Sequence, residues 1–359
     1  MIEHSGIGTH IRGLLEAMAD LSEAPQLTLL GDPAKLKRYP WLADWEIAPF
    51  DTPIYSMREQ FGFPFSEASG CLLHTPHYNA PLLRRGSLVV TVHDLIHLLM
   101  PGKGPQAAMK RVYAGVFFRL LKRRADRILT VSEATRRDLI ERLGLPEERI
   151  IVTPNALSAG FRPVQDAARL DAFRHQLKLP GAFLLAVGID KPHKNMERLL
   201  RTLARLWREG WLDLPLYVAG VAKPAESRLP RLAEELGTGE SVRFLPHLPY
   251  EELPMLYQSA HALIFPSLYE GFGLPVLEAQ ACGCPVAASN AASIPEAAGE
   301  GAVFFDPRDE AAMEASILQV VDDDALRERL RAAGRENLAR FSWQSTARRT
   351  LEIYQELSR

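Results

Sequence analysis

The amino-acid sequence predicts an α/β protein made of two Rossmann-like domains, each with a parallel sheet covered by helices. Short apolar runs rich in β-branched residues alternate with helical patterns, and parallel strands need such connecting helices. The chain has 359 residues, more than one hydrophobic core usually organises, so two domains are expected. The runs predicted as strands are Leu27 to Leu30, Leu88 to Val92, Arg127 to Val131, Ile150 to Thr153, Phe183 to Val187, Leu216 to Ala219, Val242 to Leu245, Ala262 to Phe265, Val286 to Ala288 and Ala302 to Phe305.

The segments between these runs are predicted as helices from their apolar stripes. Asn195 to Arg208, for example, carries four leucines at helical spacing, which indicates one buried face. The least periodic stretch is NALSAGFRPVQDAA, Asn155 to Ala168, which we interpret as the linker between the domains. The predicted domains are therefore residues 1–160 and 161–340.

Composition and charge exclude several classes of protein. An apolar fraction of 47% and a charged fraction of 24% are typical of a soluble globular protein, and a net charge of −2 gives no reason to expect a nucleic-acid partner. No apolar run approaches the ~18 residues of a membrane span and no signal peptide is recognisable, so a cytoplasmic location is expected. The pair Cys282-x-Cys284 lacks the second pair that a metal site would need, so no metal is expected.

The most informative stretch is FPSLYEGFGLPVLEAQACGCPVAASN, Phe265 to Asn290. It follows a predicted buried strand, and its glycines allow a tight loop before Pro275, which suits the first turn of a helix. Glu270 is therefore predicted in the loop and Glu278 in the helix. A helix N-terminus binds phosphate well, and a carboxylate about one turn further in can accept both hydrogens of a ribose diol. The alternative is that Glu278 favours the helix dipole and Glu270 caps the helix.

Residues just after each strand are further candidates, because ligands of open parallel sheets collect at the carboxyl ends of the strands. Lys194 follows a strand and a glycine and is predicted to meet phosphate oxygens, although a single loop lysine is often only solvated. His93 can donate to a sugar hydroxyl or help to move a proton, unless Asp94 or the backbone holds it. Other residues in such positions are His74, His77, Ser132, Glu133, Asn155 and the stretches Gly188 to Asn195 and Pro246 to Leu253.

Six segments carry a resemblance to a known family. In chain order they are SGIGTHIRGLL, VTVHDLIHL, VSEATRRDL, VTPNAL, VGIDKPHKN and YEGFGLPVLEAQACGCPV. Together they resemble a retaining glycosyltransferase of family 4 with the GT-B fold, in the group 1, mannosyltransferase-like branch. The similarity extends over nearly the whole chain. Its most specific motif is the pair of glutamates eight positions apart, with the glycines between them.

The resemblance implies roles for individual residues. Lys194 would neutralise the β-phosphate of a nucleotide sugar, Glu270 would bind hydroxyls of the donor sugar, and Glu278 would hold the ribose. His93 would lie near the transferred sugar. Further donor-binding positions would be Gly6, Gly8, Gly188, Lys191, His247, Leu248, Gly271, Phe272, Gly273 and Leu274.

The resemblance also implies the reaction and the arrangement of the domains. The donor would be a GDP- or UDP-linked sugar, the acceptor a saccharide or lipid-linked saccharide, and neither a cofactor nor a metal would be needed. Retention would follow a front-face displacement without an enzymatic nucleophile. The two sheets would face an interdomain cleft, and a helix within residues 341–359 would cross back to the first domain.

Two features depart from the family pattern. Many relatives carry an arginine soon after the glycine that matches Gly188, whereas this sequence has Ile189 and Asp190, and Lys191 would supply the second charge. Relatives also begin with an apolar strand before the glycine turn, whereas this chain starts MIEHSGIGTH. The first strand of the first domain is therefore expected to be missing, which would leave one strand position in its core empty.

Other interpretations are weaker. Gly6-x-Gly8 lacks the third glycine and the preceding strand of a dinucleotide fingerprint, so nicotinamide or flavin chemistry is not expected. The run Asp322 to Asp324 matches a metal-binding pattern but directly precedes a helical segment, so helix capping is the better interpretation. Two rival functions stay open: a sugar-nucleotide epimerase of the same architecture, and a sugar-nucleotide-binding protein without activity.

One helical segment indicates a peripheral membrane contact. Residues 110–124, KRVYAGVFFRLLKRR, place six apolar side chains on one stripe with basic residues around it, namely Val112, Tyr113, Val116, Phe117, Leu120 and Leu121. Such a helix can lie on anionic lipid at the inner face of a membrane, beside a lipid-linked acceptor. The alternative is that the stripe packs on the sheet of its own domain and the charges are solvated.

Overall fold

The computed structural model describes Ile2, Thr52 and residues 6–21, 27–50, 70–100, 104–221 and 223–358. The chain divides into two compact units, one formed by Met1–Ala156 with Phe341–Arg359 and the other by Leu157–Arg340. We call them the first unit and the second unit. The division after Ala156 falls inside the stretch interpreted as the linker.

The second unit is built on a six-stranded parallel sheet. Its strands are β7 Leu184–Val187, β8 Leu216–Ala219, β9 Val242–Phe244, β10 Ala262–Phe265, β11 Val286–Ser289 and β12 Val303–Phe305. They follow the order β12-β11-β10-β7-β8-β9, and every neighbouring pair is parallel. Strands β8, β10 and β11 are buried at every residue, which explains why they appear in the sequence as continuous apolar runs.

Helices connect these strands as the sequence predicts. The leucine stripe of the helix Met196–Arg208 packs on one face of the sheet, in a core shared with Leu184 and Ile264. Asp323 caps a later helix by accepting a hydrogen bond of 2.8 Å from the Leu326 N–H, so the capping interpretation of the aspartate run is confirmed. The helices of this unit are Ala167–Gln176, Met196–Arg208, Arg228–Glu235, Leu253–Ser259, Leu274–Ala281, Ile294–Ala298, Glu310–Asp322 and Asp324–Leu338.

The first unit contains two parallel sheets. One pairs β1 Thr28–Gly31 with β2 Glu46–Pro49, and the other has the order β3 Leu73–Thr75, β4 Leu88–Val92, β5 Arg127–Thr130 and β6 Ile150–Val152. Sequence patterns do not predict β2 or β3, because both are short and partly exposed and neither forms a continuous apolar run. The helices of this unit within the described residues are Ile7–Ala19, Pro33–Leu36, Ile96–Leu99, Pro105–Arg124, Glu133–Leu143 and Trp343–Leu357.

The expectation of a missing first strand concerns residues of which few are described. Of residues 1–5 the structure describes only Ile2, which lies in a turn, and a helix begins at Ile7. Among the described strands, β1 pairs only with β2 and β3 only with β4. The expectation therefore stays a prediction.

The C-terminal helix, Trp343–Leu357, packs against the N-terminal helix, Ile7–Ala19, within the first unit. The indole of Trp343 lies so close to Gly13 that a Cβ there would overlap it. Further along, Ile353 joins an apolar cluster with residues of β4 and β5. The last helix is therefore a structural element of the first unit.

The helix Pro105–Arg124, which we call the basic helix, corrects one sequence interpretation. Six apolar residues were expected on a single stripe, but the structure divides them between two faces. Tyr113, Phe117 and Leu121 join the core of the first unit, whereas Val112, Val116 and Leu120 are exposed. No helix in the described part of the chain is long and apolar enough to cross a membrane.

Candidate functional site

The candidate site of the second unit forms at the carboxyl ends of β7 and β10, which are neighbours in the sheet. The chain after β7 carries Lys194 just before the helix Met196–Arg208. The chain after β10 carries Glu270 in a loop and then enters the helix Leu274–Ala281, which we call the site helix. Adjacent parallel strands thus bring both side chains to one edge of the sheet.

Lys194 and Glu270 form an ion pair, with 2.7 Å between Nζ and Oε1. Their side chains are only 13% and 12% exposed, and Lys194 Nζ also lies 5.3 Å from the centroid of the Phe265 ring. Water hydrates neither charge well, so each charge is stabilised mainly by the other. The ion pair therefore holds both side chains in place. An ammonium has three N–H donors, so Lys194 can still bind another anion.

Backbone contacts hold the two loops against each other. The Leu268 N–H donates to the His193 carbonyl at 2.7 Å, and the Asn195 amide donates to the carbonyls of Pro266 and Pro307 at 3.1 and 2.8 Å. Asn195 has a φ of 57° at the entry to its helix, a conformation that asparagine tolerates. The position of the neighbouring lysine is therefore fixed by the backbone as well as by charge.

The segment Gly271–Leu274 leads into the N-terminus of the site helix. Gly273 has a φ of 117°, which only glycine adopts readily. Ser293 Oγ lies 2.8 Å from the carbonyl oxygens of both Glu270 and Phe272, and the Phe272 side chain is buried. No side chain of the described residues caps the site helix, so the alternative in which Glu270 is its cap is wrong.

Glu278 lies on the site helix with its carboxylate buried between two tyrosines. Tyr257 OH donates to Oε2 at 2.7 Å, and Tyr250 OH donates to Oε1 at 3.4 Å. Each carboxylate oxygen therefore receives one hydrogen bond and keeps a lone pair for another donor.

The loop after β9 carries His247 and Leu248. His247 is exposed, and Leu248 is partly buried against the apolar core of the second unit. Tyr250, two residues further on, reaches Glu278. These two predicted donor-binding residues therefore belong to a loop that adjoins the carboxylate predicted to hold the ribose.

Gly188 follows β7 and is tightly packed against Gly220, which follows β8. A Cβ on Gly220 would lie 3.1 Å from the Gly188 carbonyl oxygen, and Gly220 has a φ of 96°. Both the space and the backbone conformation therefore require glycine at position 220. This packing fixes the start of the loop that carries Lys194.

The residues that replace the family's arginine are at the surface. Ile189, Asp190 and Lys191 are all exposed, and Asp190 accepts a hydrogen bond from Ser227 at 2.7 Å. Lys191 is therefore placed less firmly than Lys194, and its role as a second charge stays a prediction.

In the first unit, the predicted residues lie around the N-terminal helix. Gly6 is its N-cap residue with a φ of 62°, and Gly8 is buried in its first turn. His10, on the same helix, packs edge to face against His93, with 4.7 Å between the ring centroids. His10 thus connects the glycine turn with His93. The sequence patterns did not single out this histidine.

Hydrogen bonds fix the orientation of these two rings. His93 Nε2 lies 2.8 Å from the Pro76 carbonyl, which can only accept, so Nε2 carries the proton and Nδ1 is left as an acceptor. The backbone alternative for His93 is therefore the one observed. His10 Nδ1 lies 2.8 Å from Asn155 Oδ1, and its Nε2 has no partner among the residues that the structure describes.

Comparisons with known proteins identify the family of this chain. The family model Glycosyltransferase Family 4 matches residues 4–159, and the model Glycosyl transferases group 1 matches residues 169–337. The chain belongs to the group 1, family 4 glycosyltransferases. The resemblance carried by the six segments is thereby confirmed.

Individual relatives cover most of this glycosyltransferase. The O-antigen chain mannosyltransferase B of Escherichia coli is 35% identical over 288 residues, which are 80% of this chain and 74% of that protein. The serotype-specific mannosyltransferase WbdA of Escherichia coli is 31% identical over 65% of this chain, which spans only 29% of that longer protein. The solved structure of sucrose-phosphate synthase from Thermosynechococcus elongatus has a TM-score of 0.79 at 23% identity, over 98% of this chain and 94% of that chain.

These findings confirm the predicted fold class and enzyme class. The parallel α/β units have the GT-B fold of the glycosyltransferases found among the solved structures. The family models and the mannosyltransferase relatives make the chain a hexosyltransferase.

The buried site of the glycosyltransferase changes the acidity of its groups. Burial raises the pKa of Glu278 from the ordinary 4.5 to about 7, although hydrogen bonds from Tyr257 and Tyr250 and the charge of Lys194 lower it. Burial, together with the charge of Glu278, raises the pKa of Tyr257 well above its ordinary value. Tyr257 is therefore a donor at every physiological pH, whereas Glu278 changes its charge near neutrality.

Three histidines of the first unit, His10, His74 and His93, are held neutral. Burial lowers the pKa of His10 to about 4 and that of His74 to about 3, and it lowers the pKa of His93 well below its ordinary value. Nearby histidines add to the lowering for His74 and His93. At neutral pH His93 therefore presents a neutral ring whose Nδ1 accepts.

Sequence patterns missed several residues that shape this glycosyltransferase site. Gly220 stands directly after a predicted strand, so the rule that identified Gly188 could have found it. Tyr257 lies in the short helix Leu253–Ser259, where a buried aromatic residue looks like any core residue. Ser293 and His10 gave no signal of their own, because their roles depend on contacts with distant loops and strands.

Proposed function

We propose that this glycosyltransferase is a retaining enzyme that transfers a hexose, with mannose favoured, from a nucleotide diphosphate sugar to a saccharide or lipid-linked saccharide. The donor is GDP- or UDP-linked, and no cofactor or metal takes part. Two of its relatives are mannosyltransferases by name, one of them for the O-antigen chain, which supports mannose and a polysaccharide product. A cytoplasmic location, with contact at the inner membrane face through residues 110–124, belongs to the same proposal.

The observation that carries the proposal is the arrangement of Lys194, Glu270 and Glu278. Lys194 is paired with Glu270, and its charge also acts on Glu278. The three side chains adjoin the glycine-rich N-terminus of the site helix. A nucleotide diphosphate sugar has three matching parts: an anionic diphosphate, a polyol and a ribose diol.

Lys194 supplies positive charge to the leaving diphosphate. One of its N–H groups is engaged by Glu270, and the others can bind an oxygen of the β-phosphate. Negative charge on that phosphate grows as the bond to the sugar breaks. A preorganised cation in a poorly hydrated place stabilises such a transition state more than a solvated one does.

The remaining contacts to the donor are made by the two glutamates of the motif and by the segments near them. Glu278 accepts the hydrogens of the ribose diol on its two free lone pairs, one on each oxygen. Glu270 binds hydroxyls of the sugar while it is held by Lys194. The backbone of Gly271, Phe272, Gly273 and Leu274 binds the diphosphate or the sugar at the start of the site helix, and the loop with His247 and Leu248 flanks the base.

In the first unit, Gly6 and Gly8 lie at the start of the N-terminal helix, which no described side chain caps, and this helix start binds an anionic group of the donor. His93 approaches the transferred sugar. Because its Nε2 proton is engaged by Pro76, the group it offers is Nδ1, which accepts a hydrogen bond from a sugar hydroxyl. His93 thereby orients the sugar rather than protonating it.

The proposed chemical step needs no nucleophile from the protein. The bond between the anomeric carbon and the phosphate oxygen breaks, and the acceptor oxygen bonds to that carbon on the same face. The acceptor's proton passes to the departing phosphate oxygen. The products are the glycoside, with retained configuration, and a nucleoside diphosphate, so the enzyme acts by orientation and by stabilising charge.

The first test is thermal unfolding with GDP, UDP, ADP and CMP and with their common sugar conjugates. A ligand at ~100 times its dissociation constant adds about 2.7 kcal/mol of stability, which raises the unfolding midpoint by a few degrees. We expect one nucleoside diphosphate and its conjugates to act selectively, and Glu278→Ala to abolish the shift. No shift with any nucleotide, in a protein that unfolds cooperatively, would contradict the donor site.

The second test separates transfer from its two alternatives. Labelled nucleotide sugar is incubated with saccharide and lipid-linked acceptors, and the label is followed into glycoside and free nucleotide. We expect label in a glycoside of unchanged anomeric configuration. Conversion of the donor to its epimer without a glycoside would indicate an epimerase, and donor binding without turnover would indicate a binding protein.

A further inference from the structure

We propose that Ser293 is a positioning residue of the transfer reaction. Its hydroxyl holds the backbone before the site helix, so that the N–H groups of Gly273 and Leu274 face the diphosphate of the donor. The inference rests on the proposed function, in which a nucleotide diphosphate sugar binds at this helix start. Ser293 acts through the backbone and does not touch the donor itself.

The hydroxyl of Ser293 lies where two backbone carbonyls converge. Its Oγ is 2.8 Å from the carbonyl oxygen of Glu270 and 2.8 Å from that of Phe272, and the residue is fully buried. A hydroxyl has one proton, so it donates to one of the two carbonyls at a time. Both carbonyls are thereby held towards the same point, and the segment between them has little freedom to turn.

The direction of the Phe272 carbonyl fixes the direction of the next N–H group. In a trans peptide unit the C=O and the N–H lie in one plane and point to opposite sides. Because the Phe272 carbonyl points towards Ser293, the Gly273 N–H points away from it. The φ of 117° at Gly273 then turns the chain into the site helix.

The N–H groups of Gly273 and Leu274 find no acceptor in the described part of the chain. The first N–H groups of a helix have no partner within that helix, and no described side chain caps the site helix. Pro275, which follows them, has no N–H at all. Two backbone donors at a helix start are suited to an anion, and the diphosphate is the anionic part of the donor.

Ser293 is itself held firmly, because the helix Ile294–Ala298 that follows it is bonded to the site helix. Gln280, a residue of the site helix, donates to the Ala298 carbonyl at 2.8 Å. Asn337 donates in turn to Gln280 Oε1 at 2.8 Å. The helix after Ser293 is therefore tied to the glutamate motif at both ends, so the hydroxyl acts on the loop from a fixed position.

Ser293 also links the start of the site helix to the ion pair. It holds the backbone of Glu270, whose Oε1 lies 2.7 Å from Lys194 Nζ. One hydroxyl thus supports both groups that meet the diphosphate, namely the lysine ammonium and the pair of N–H groups. Charge on a leaving phosphate is stabilised best by donors that do not rearrange, so loss of the hydroxyl should weaken the phosphate contacts first.

The test compares ligands with and without a diphosphate on Ser293→Ala in the full chain. Calorimetry gives dissociation constants for GDP, guanosine and GDP-mannose and for UDP, uridine and UDP-glucose. We expect Ser293→Ala to bind the diphosphate and its sugar conjugate about ten-fold more weakly, as for one lost charge-assisted hydrogen bond, and to bind the nucleoside unchanged. A purely structural role would weaken nucleoside binding as well, because Glu278 and the base loop would also be disturbed.

The matched control is Thr238→Val, which removes another buried hydroxyl that donates to a backbone carbonyl. Thr238 Oγ1 lies 3.1 Å from the Ala233 carbonyl oxygen, just before β9 and therefore at the opposite edge of the sheet from the site. This variant should leave every dissociation constant unchanged. Ser293→Cys keeps a weak donor, so its affinity for the diphosphate should lie between those of Ser293→Ala and the unchanged protein. It gives the same comparison if Ser293→Ala does not unfold cooperatively.

Three results would overturn the role of Ser293 and leave the proposed function standing. Equal loss of affinity for diphosphate and nucleoside would make Ser293 a structural residue, and unchanged affinity for both would remove it from the site. Weaker binding of the sugar conjugate alone would show that this backbone holds the sugar instead of the diphosphate. If the unchanged protein binds neither GDP nor UDP, the proposed donor is wrong, and the role of Ser293 fails with it.

Discussion

Lys194 Nζ and Glu270 Oε1 lie 2.7 Å apart, although the two residues are separated in the chain by 76 positions that include the three strands β8, β9 and β10. Both side chains are largely withdrawn from water. A charge in such a place is costly without a partner, so the pair holds the lysine side chain in one orientation before any substrate arrives.

Removing the lysine charge should cost activity far more than stability. We expect Lys194→Gln to lower turnover by ~10²-fold or more, because a preorganised donor to the leaving phosphate is lost. It should also lower the free energy of unfolding by about 1–3 kcal/mol, since Glu270 is left without its partner. Transfer rates and denaturant unfolding measure the two effects.

The matched control for this prediction is Lys223→Gln, which removes a lysine from an exposed ion pair with Glu226. It should change neither turnover nor stability measurably. Turnover by Lys194→Gln within a factor of a few of the unchanged enzyme would remove Lys194 from the mechanism.

Nucleotide binding should depend on the ionisation of Glu278. In the unliganded protein the pKa of Glu278 is raised to about 7, and only the ionised carboxylate can accept both ribose hydrogens. Affinity should therefore be constant above pH 7 and fall by about tenfold per unit below it. Titration of the nucleoside diphosphate from pH 6 to pH 8 measures this, and Glu278→Gln should bind weakly without the same pH dependence.

The raised pKa of Glu278 affects the stability of the fold in the opposite direction to nucleotide binding. Since folded Glu278 binds its proton more tightly than unfolded Glu278, its contribution to stability is largest below pH 4.5 and is lost as the pH rises to about 7. Glu278→Gln leaves no charge to bury. The unliganded variant should therefore be more stable than the unchanged protein at neutral and higher pH. A Glu278→Gln variant that is less stable than the unchanged protein at pH 8 would contradict this.

Tyr257 should hold the carboxylate in its ionised form. Its hydroxyl donates to Glu278 at 2.7 Å, so Tyr257→Phe removes a short hydrogen bond that favours the charged state. We expect the pH midpoint of nucleotide binding to rise by about one unit. Tyr250→Phe is the matched comparison, because its 3.4 Å contact is weaker and its effect should be smaller. If the pH midpoint of nucleotide binding shifted equally in the two variants, the lengths of the two hydrogen bonds would not determine the pKa of Glu278.

The buried histidines should make the first unit sensitive to acid. His10 has a pKa of about 4 in the folded protein and an ordinary value of 6.5 when unfolded, so the unfolded chain binds more protons between these limits. Stability is complete above pH 6.5 and falls as the pH drops towards 4. His10 alone should cost about 2 kcal/mol at pH 5 relative to pH 7.5.

Unfolding at several pH values tests this contribution of His10. His10→Gln keeps a polar group that can reach Asn155 but does not titrate, so its stability should fall less between pH 7.5 and pH 5 than that of the unchanged protein. Both proteins contain Glu278, so its contribution cancels when the pH dependence of stability is compared between them. Parallel slopes would show that His10 is not the titrating group.

Gly220 should be required for its lack of a Cβ as well as for its backbone conformation. Gly220→Ala places a Cβ 3.1 Å from the Gly188 backbone at a positive φ, whereas Gly237→Ala has a φ of 72° and open space around it. We expect Gly237→Ala to cost about 1 kcal/mol from backbone strain alone. Gly220→Ala should cost more and should also weaken nucleotide binding, because the loop with Lys194 moves. Equal losses of stability and unchanged binding would contradict the packing argument.

Much of the fold could be predicted because the information is local. Ten of the twelve described strands coincide with apolar runs, since strands buried on both faces need continuous apolar sequence. The two missed strands, β2 and β3, are short and partly exposed, and their pairing is set by neighbours rather than by their own residues. The basic helix was predicted, but which of its apolar residues are exposed depends on the core that covers the others.

The positions of Glu270, Glu278 and Lys194 were determined by the sequence itself, because glycine and proline specify the strand, loop and helix around them within a few residues. Only the tertiary structure decided that Lys194 pairs with Glu270, since that contact requires β7 and β10 to be neighbours. The same holds for the tyrosines around Glu278 and for His10 beside His93. Local sequence fixes where a side chain stands along its element, whereas its partner and its pKa depend on burial and on groups that are distant in the chain.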